Sequence, residues 1–222
     1  MSPTQTAAAP DLLFALLPDG GLAPDGPDTL APLAAALQAQ YPDALTLTLH
    51  PPLRDAEGRC RWWLEPAPSP EGVSGALPWL VERLRHEAAR LDLPWKRVAL
   101  AGLGDGALLA LEALQAEPAL AGRVLAFGGG YLSRPEHAPQ DVCVHLLHGL
   151  EDRRFSYRHV VDAAQALVDL GADVTADLLP HLDHGLHPAL IEKAMEQLRT
   201  FIPARLWREA LIAAQENERP VG

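Results

Sequence analysis

The sequence predicts an α/β fold: a mostly parallel central sheet covered by helices on both faces. Three observations carry this. Short apolar runs of strand length alternate with longer amphipathic stretches along the chain. The runs VALAGL, RVLAF and VCVHLLH are apolar on consecutive residues, as strands buried on both faces are. With 222 residues, 48% of them hydrophobic, the chain can bury a core of ordinary domain size.

The elements follow in order. Residues 1–10, MSPTQTAAAP, read as a flexible lead-in to a domain over 11–203. DLLFALL is a buried strand closed by Pro18-Asp19-Gly20-Gly21. Leu30 to Gln40 is an amphipathic helix, and ALTLTLH alternates as a strand. Residues 51–76, rich in proline and glycine around Arg61-Trp62-Trp63, read as a long loop with room for one short strand at the tryptophans. Pro78 to Leu91 has helical periodicity. VALAGL is a strand, Ala107 to Glu117 a helix, and RVLAF and VCVHLLH are further strands. Ser156 to Leu170 is a helix stopped by Gly171. DVTADLL is a strand and Pro188 to Phe201 a helix. Residues 204–222 form a C-terminal helix and tail, the helix over Ala204 to Gln215.

Charge and composition narrow the partners. A formal net charge of −11 argues against nucleic acid, whose phosphates require concentrated positive charge. The N-terminus has neither a basic n-region nor a long apolar core, and no apolar run reaches membrane-spanning length. The expectation is a cytoplasmic chain, monomer or homodimer, with Cys60 and Cys143 reduced.

Chemistry in a parallel sheet gathers at the carboxyl ends of its strands. That rim collects three segments: GLGDG (102–106), the loop HGLEDR from His148, and LPHLDHGLH through His187. In ALAGLGDGALLALEAL an apolar strand enters a glycine-studded turn and leaves as a helix. This is the grammar of G-x-S-x-G, but Gly104 stands where the serine would be.

At these residues the chain resembles the carboxylesterase/phospholipase group of α/β-hydrolases, close to the acyl-protein thioesterases and their bacterial esterase relatives. The resemblance runs from the first strand to FIPARLW. It is carried by PDAL (42–45), AGLGDGALLALEAL, AEPALAGRVLAFGGGY, HLLHGLEDR and GADVTADLLPHLDHGLH, in that order. It implies an α/β-hydrolase fold and hydrolysis of carboxylic esters or thioesters through an acyl-serine, with no metal or organic cofactor. Asp152 would orient the imidazole of His184, the general base, and Gly104 would occupy the nucleophile position. Glu151 is the alternative acid.

Several residues depart from that pattern. Gly104 offers no oxygen, so no acyl-enzyme can form there. Asp105 follows it, where the family has a neutral residue whose backbone N–H serves the oxyanion, and a carboxylate there opposes the stabilisation. The His-Gly pair expected after the first strand is replaced by Pro18-Asp19-Gly20-Gly21, so Asp19 and Gly20 take the rest of the oxyanion region. Glycine also relieves the positive-φ strain of an elbow, which costs about 1–3 kcal/mol in other residues.

Plainer readings stand beside these. Asp105 suits a helix's first turn, and as a displaced nucleophile it is one position out of register. The three glycines lack the spacing of a dinucleotide-binding turn. His181, His184 and His187 could bind zinc in principle, but a loop does not fix them on one face. His145 and His148 are three apart on a strand and face opposite sides. Asp152 and His184 could persist simply as a tie between two loops. Trp62 and Trp63 either line a substrate pocket or cover the sheet edge. The leading expectation is a pseudo-hydrolase that binds a small ester-like or acyl ligand or a protein partner. The alternative is an active hydrolase, with Gly104 an introduced change or with the Asp152–His184 dyad activating water.

Overall fold

Six of the apolar runs assemble into one sheet, and all of its pairings are parallel. The structure is a computed structural model and describes residues 9–203 and Leu206. In chain order the elements are β1 (Leu13–Leu17), α1 (Ala31–Gln40), β2 (Leu45–Thr48), β3 (Leu53–Arg54), β4 (Cys60–Arg61), α2 (Pro70–Arg90), β5 (Val98–Leu103), α3 (Asp105–Ala116), β6 (Arg123–Phe127), β7 (Cys143–Gly149), α4 (Tyr157–Asp169), β8 (Asp173–Leu179) and α5 (Pro188–Thr200). The helix expected over Ala204 to Gln215 and most of the lead-in lie outside the described residues.

The sheet order is β2-β1-β5-β6-β7-β8. Side chains alternate across each strand, and the two faces bury separate cores. Leu13, Ala15, Leu17, Leu100, Val124 and Val144 face α2, α3 and α4. Phe14, Leu16, Ala101, Leu103, Leu125 and Leu147 face α1 and α5. Strands covered on both sides need no polar face, hence their continuous apolar runs.

Two expectations are corrected. Residues 51–76 are not one loop: β3 and β4 pair as a small antiparallel hairpin, and α2 begins at Pro70, eight residues before the expected start. Ser69 caps α2, its Oγ accepting from the N–H of Gly72 at 3.0 Å, and Pro70 suits the first turn, where no N–H is needed. Pro78 then lies inside the helix at a cost of about 3 kcal/mol. Burial of Val73, Ala76, Leu80, Val81 and Leu84 outweighs it, at about 1.5–3 kcal/mol for each large side chain.

The chain runs outward from β1 to β2 and then crosses back to β5, so the strand order reverses between β1 and β5. A crevice opens at the carboxyl ends of strands at such a reversal. Leu17 pairs with Gly102 across it. Two residues further on, Asp19 and Gly104 emerge side by side.

Candidate active site

Gly104 is the apex of the bend between β5 and α3, with φ +56° and ψ −116°. A residue with a side chain is strained there; glycine is not. A β-carbon at Gly104 would fall 2.6 Å from Cγ of Asp19. The carboxylate of Asp19 thus lies where a side chain of residue 104 would begin.

Asp19 reaches this place because the first loop is anchored beneath it. The indole N–H of Trp62 donates to the carbonyl of Pro18 at 2.9 Å, and both Trp62 and Trp63 are buried in the core. The tryptophans therefore act as packing and as an anchor for the loop. Their burial favours the covering alternative over the substrate-lining one.

Oδ1 of Asp19 accepts the backbone N–H of Gly20 at 2.9 Å and that of Asp105 at 2.9 Å. Oδ2 faces Nε2 of His184 at 3.2 Å and is bound by Nη1 of Arg154. The altered side chains at 19 and 105 thus leave two backbone N–H groups aimed at one point. Two backbone donors still converge on one oxygen, because an N–H keeps its direction whatever its side chain is. The side chain of Asp105 turns away to form an ion pair with Nη2 of Arg154 at 2.6 Å. It fills the space over Gly20, where a β-carbon would fall 2.6 Å from Oδ2 of Asp105. Asp105 is thus occupied with Arg154 and is not offered as a nucleophile.

A second carboxylate holds the far side of the imidazole. Nδ1 of His184 donates to Oδ2 of Asp152 at 2.8 Å. Oδ1 of Asp152 accepts the N–H groups of Arg154 at 2.8 Å and Phe155 at 3.0 Å, which fixes the carboxylate. Glu151 instead pairs with His181 at 3.2 Å. The ring of Phe155 stacks on His184, 6.1 Å between centroids. His145 bonds Thr175, and His148 bonds the carbonyl of Phe155, which ties down the loop that carries Asp152. His187 pairs with Asp183 at 2.9 Å, so the three rim histidines have separate partners. Among the described residues no group of three such side chains is arranged to hold a metal ion.

The electrostatics follow from the contacts. The hydrogen bond to Asp19, against the cost of burial and with Asp152 adding to it, raises the pKa of His184. Its two nitrogens face a carboxylate on each side. Burial alone would raise Asp19, but His184, Arg154 and the N–H of Asp105 outweigh it and hold its carboxyl below the usual carboxylate range. Burial and the charge of Asp19 push Asp105 up, and Arg154 opposes them.

Arg154 is the residue that sequence reasoning missed. Its signal was charge: two acids, Asp19 and Asp105, at positions that call for neutral groups require a cation nearby. The Arg153-Arg154 pair follows Asp152 on the same rim.

Comparison with known proteins agrees with this architecture. Residues 64–205 match the family described as phospholipase/carboxylesterase. The chain is 31% identical over 202 residues to the esterase YpfH of Escherichia coli (strain K12), covering 89% of this chain and 87% of that protein. Among solved structures, esterase PE8 superposes with a TM-score of 0.77 at 20% identity, over 88% of this chain and 95% of its own. The Bacillus cereus carboxylesterase does so with 0.74 at 19%, over 88% and 91%. The doubly covered parallel sheet is that of the α/β-hydrolases, and no helix among the described residues is long and apolar enough to cross a membrane. With this fold and these matches, the chain belongs to the phospholipase/carboxylesterase family.

Proposed function

We propose that this chain is a catalytically silent member of its family, a pseudo-hydrolase that keeps the pocket and the Asp152–His184 pair without an attacking group. The observation that carries the reading is the carboxylate of Asp19 beside Gly104. It takes the two backbone donors and Nε2 of His184 at once. Acyl transfer needs a nucleophile within reach of the base and an empty oxyanion seat. Here the nucleophile has no side chain and the seat is filled.

The same contacts weigh against water activation by the dyad. A general base must turn its free nitrogen to the water it activates, and Nε2 of His184 is instead turned to the Asp19 carboxylate at 3.2 Å. On this reading the site serves to bind a small acyl ligand rather than to turn one over. Cys60 and Cys143, both buried and not joined in a disulfide, fit a reducing cytoplasmic setting.

The test is hydrolysis of p-nitrophenyl butyrate by the unchanged chain and by His184→Ala. Both should run at the buffer rate. Turnover by the unchanged chain that His184→Ala abolishes would overturn the proposal.

A further inference from the structure

We infer that the centre is a carboxylate-binding site whose resting occupant is the chain's own Asp19, and that a small free monocarboxylate takes the same seat once the Asp19 side chain is out of it. The inference names a ligand class for the site and rests on reading that site as non-catalytic.

The seat is complete. A carboxylate offers about four acceptor positions on its two oxygens. The site supplies four donors: the N–H groups of Gly20 and Asp105 to Oδ1, and Nε2 of His184 and Nη1 of Arg154 to Oδ2. They come from the β1–α1 loop, the start of α3, the β7–α4 loop and the β8–α5 loop, so the seat does not depend on one flexible segment. Room for the carboxylate exists because residue 104 has no β-carbon.

Charge sets the class of ligand. With Asp19 seated, Arg154 and the ring of His184 face three carboxylates: Asp19, Asp105 and Asp152. With Asp19 removed, Arg154 and the ring each lose one carboxylate partner. One further negative charge restores the resting balance, whereas a phosphate dianion exceeds it beside Asp105. Arg154 holds Asp105 by Nη2 and Asp19 by Nη1, so the guanidinium stays in place when its Nη1 partner changes. A planar two-oxygen anion can give one oxygen to the two backbone N–H groups and the other to Nη1 of Arg154 and Nε2 of His184, as Asp19 does. An ester or amide carries no charge for Arg154 and the ring of His184, so the seat favours the acid over its neutral derivatives.

The experiment removes the occupant. Asp19→Ala is titrated with sodium acetate by calorimetry, and its melting temperature is followed in acetate against chloride at equal ionic strength. Asp19→Ala should bind acetate at least about tenfold more tightly than the unchanged chain, and should be stabilised by acetate over chloride. Acetamide should not bind. Adding Arg154→Ala should remove at least about tenfold of the gain. Asp19→Asn, which keeps the seat filled, should bind no better than the unchanged chain. Asp19→Gly replaces Asp19→Ala if that variant does not fold. A folded Asp19→Ala or Asp19→Gly with no gain, equal binding by the unchanged chain, or binding indifferent to Arg154 would overturn the inference. No ester is present, so failure here leaves the silent-hydrolase reading standing. Turnover by the unchanged chain sinks that reading whatever the acetate titration gives.

Discussion

Replacing Asp19 by asparagine keeps the shape of the seat and removes its charge. The amide oxygen still accepts from Gly20 and Asp105, but an NH₂ now faces the N–H of His184 and the guanidinium of Arg154, donor against donor. Loss of the charged hydrogen bond from His184 costs about 1.5–3 kcal/mol. The Arg154 pair adds only about 0–1 kcal/mol, because the guanidinium side chain is 38% exposed and water screens it. Relief of repulsion between Asp19 and Asp105 offsets a similar amount, which leaves a net loss of about 2 kcal/mol, or about 4–8 °C in melting temperature for a chain of this length.

The pH window is set by the two partners. The pKa of His184 is raised in the fold, so its contribution is fully present below about 6.5 and is lost as pH rises through the folded value. Asp19 is depressed from 3.8, so its contribution is present above that and is lost as pH falls through its folded value. The deficit of Asp19→Asn should therefore be largest near pH 5 and smaller at pH 9. Urea unfolding of both chains at the two pH values measures it. Equal stability at pH 5, or a deficit that grows towards pH 9, would refute the reasoning.

Two further outcomes follow from the same contacts. Arg154→Ala leaves Asp19 and Asp105 facing each other without their shared cation, and should cost about 1–2 kcal/mol in urea unfolding, water at the exposed guanidinium site limiting the loss. Trp62→Phe removes the donor to the buried Pro18 carbonyl and should cost about 1–3 kcal/mol by the same measurement, with the Asp19 loop the first region to gain amide exchange.

Much of this was legible in the chain because it is local. The doubly buried strands announce themselves as unbroken apolar runs, and Val98 to Gly106 reads as strand, bend and helix without tertiary knowledge. The Asp152–His184 pair was legible through resemblance, since each residue follows a recognisable strand. What stayed hidden depends on contacts between distant segments. Nothing near residue 19 says that its carboxylate lies against Gly104; that follows from the Leu17–Gly102 register at the sheet's reversal. The altered side chains at 19 and 105 suggested a lost oxyanion region, yet two backbone donors still converge there. Arg154 is one of two adjacent arginines, and only the fold says which of them turns inward. The early start of α2 was masked by the prolines and glycines at 66–78, which read as loop until Ser69 is seen as a cap.

What fills the seat beside Gly104 decides whether a serine there could react, and labelling by a fluorophosphonate, which reports an activated serine, reads that directly. The unchanged chain should take no label at residue 104. Gly104→Ser alone should take little, because its β-carbon meets the Asp19 carboxylate. Gly104→Ser combined with Asp19→Gly, which empties the seat and leaves Asp152–His184 in place, should label at residue 104. Labelling of the single variant as strong as that of the double, or a folded double variant that takes none, would contradict it.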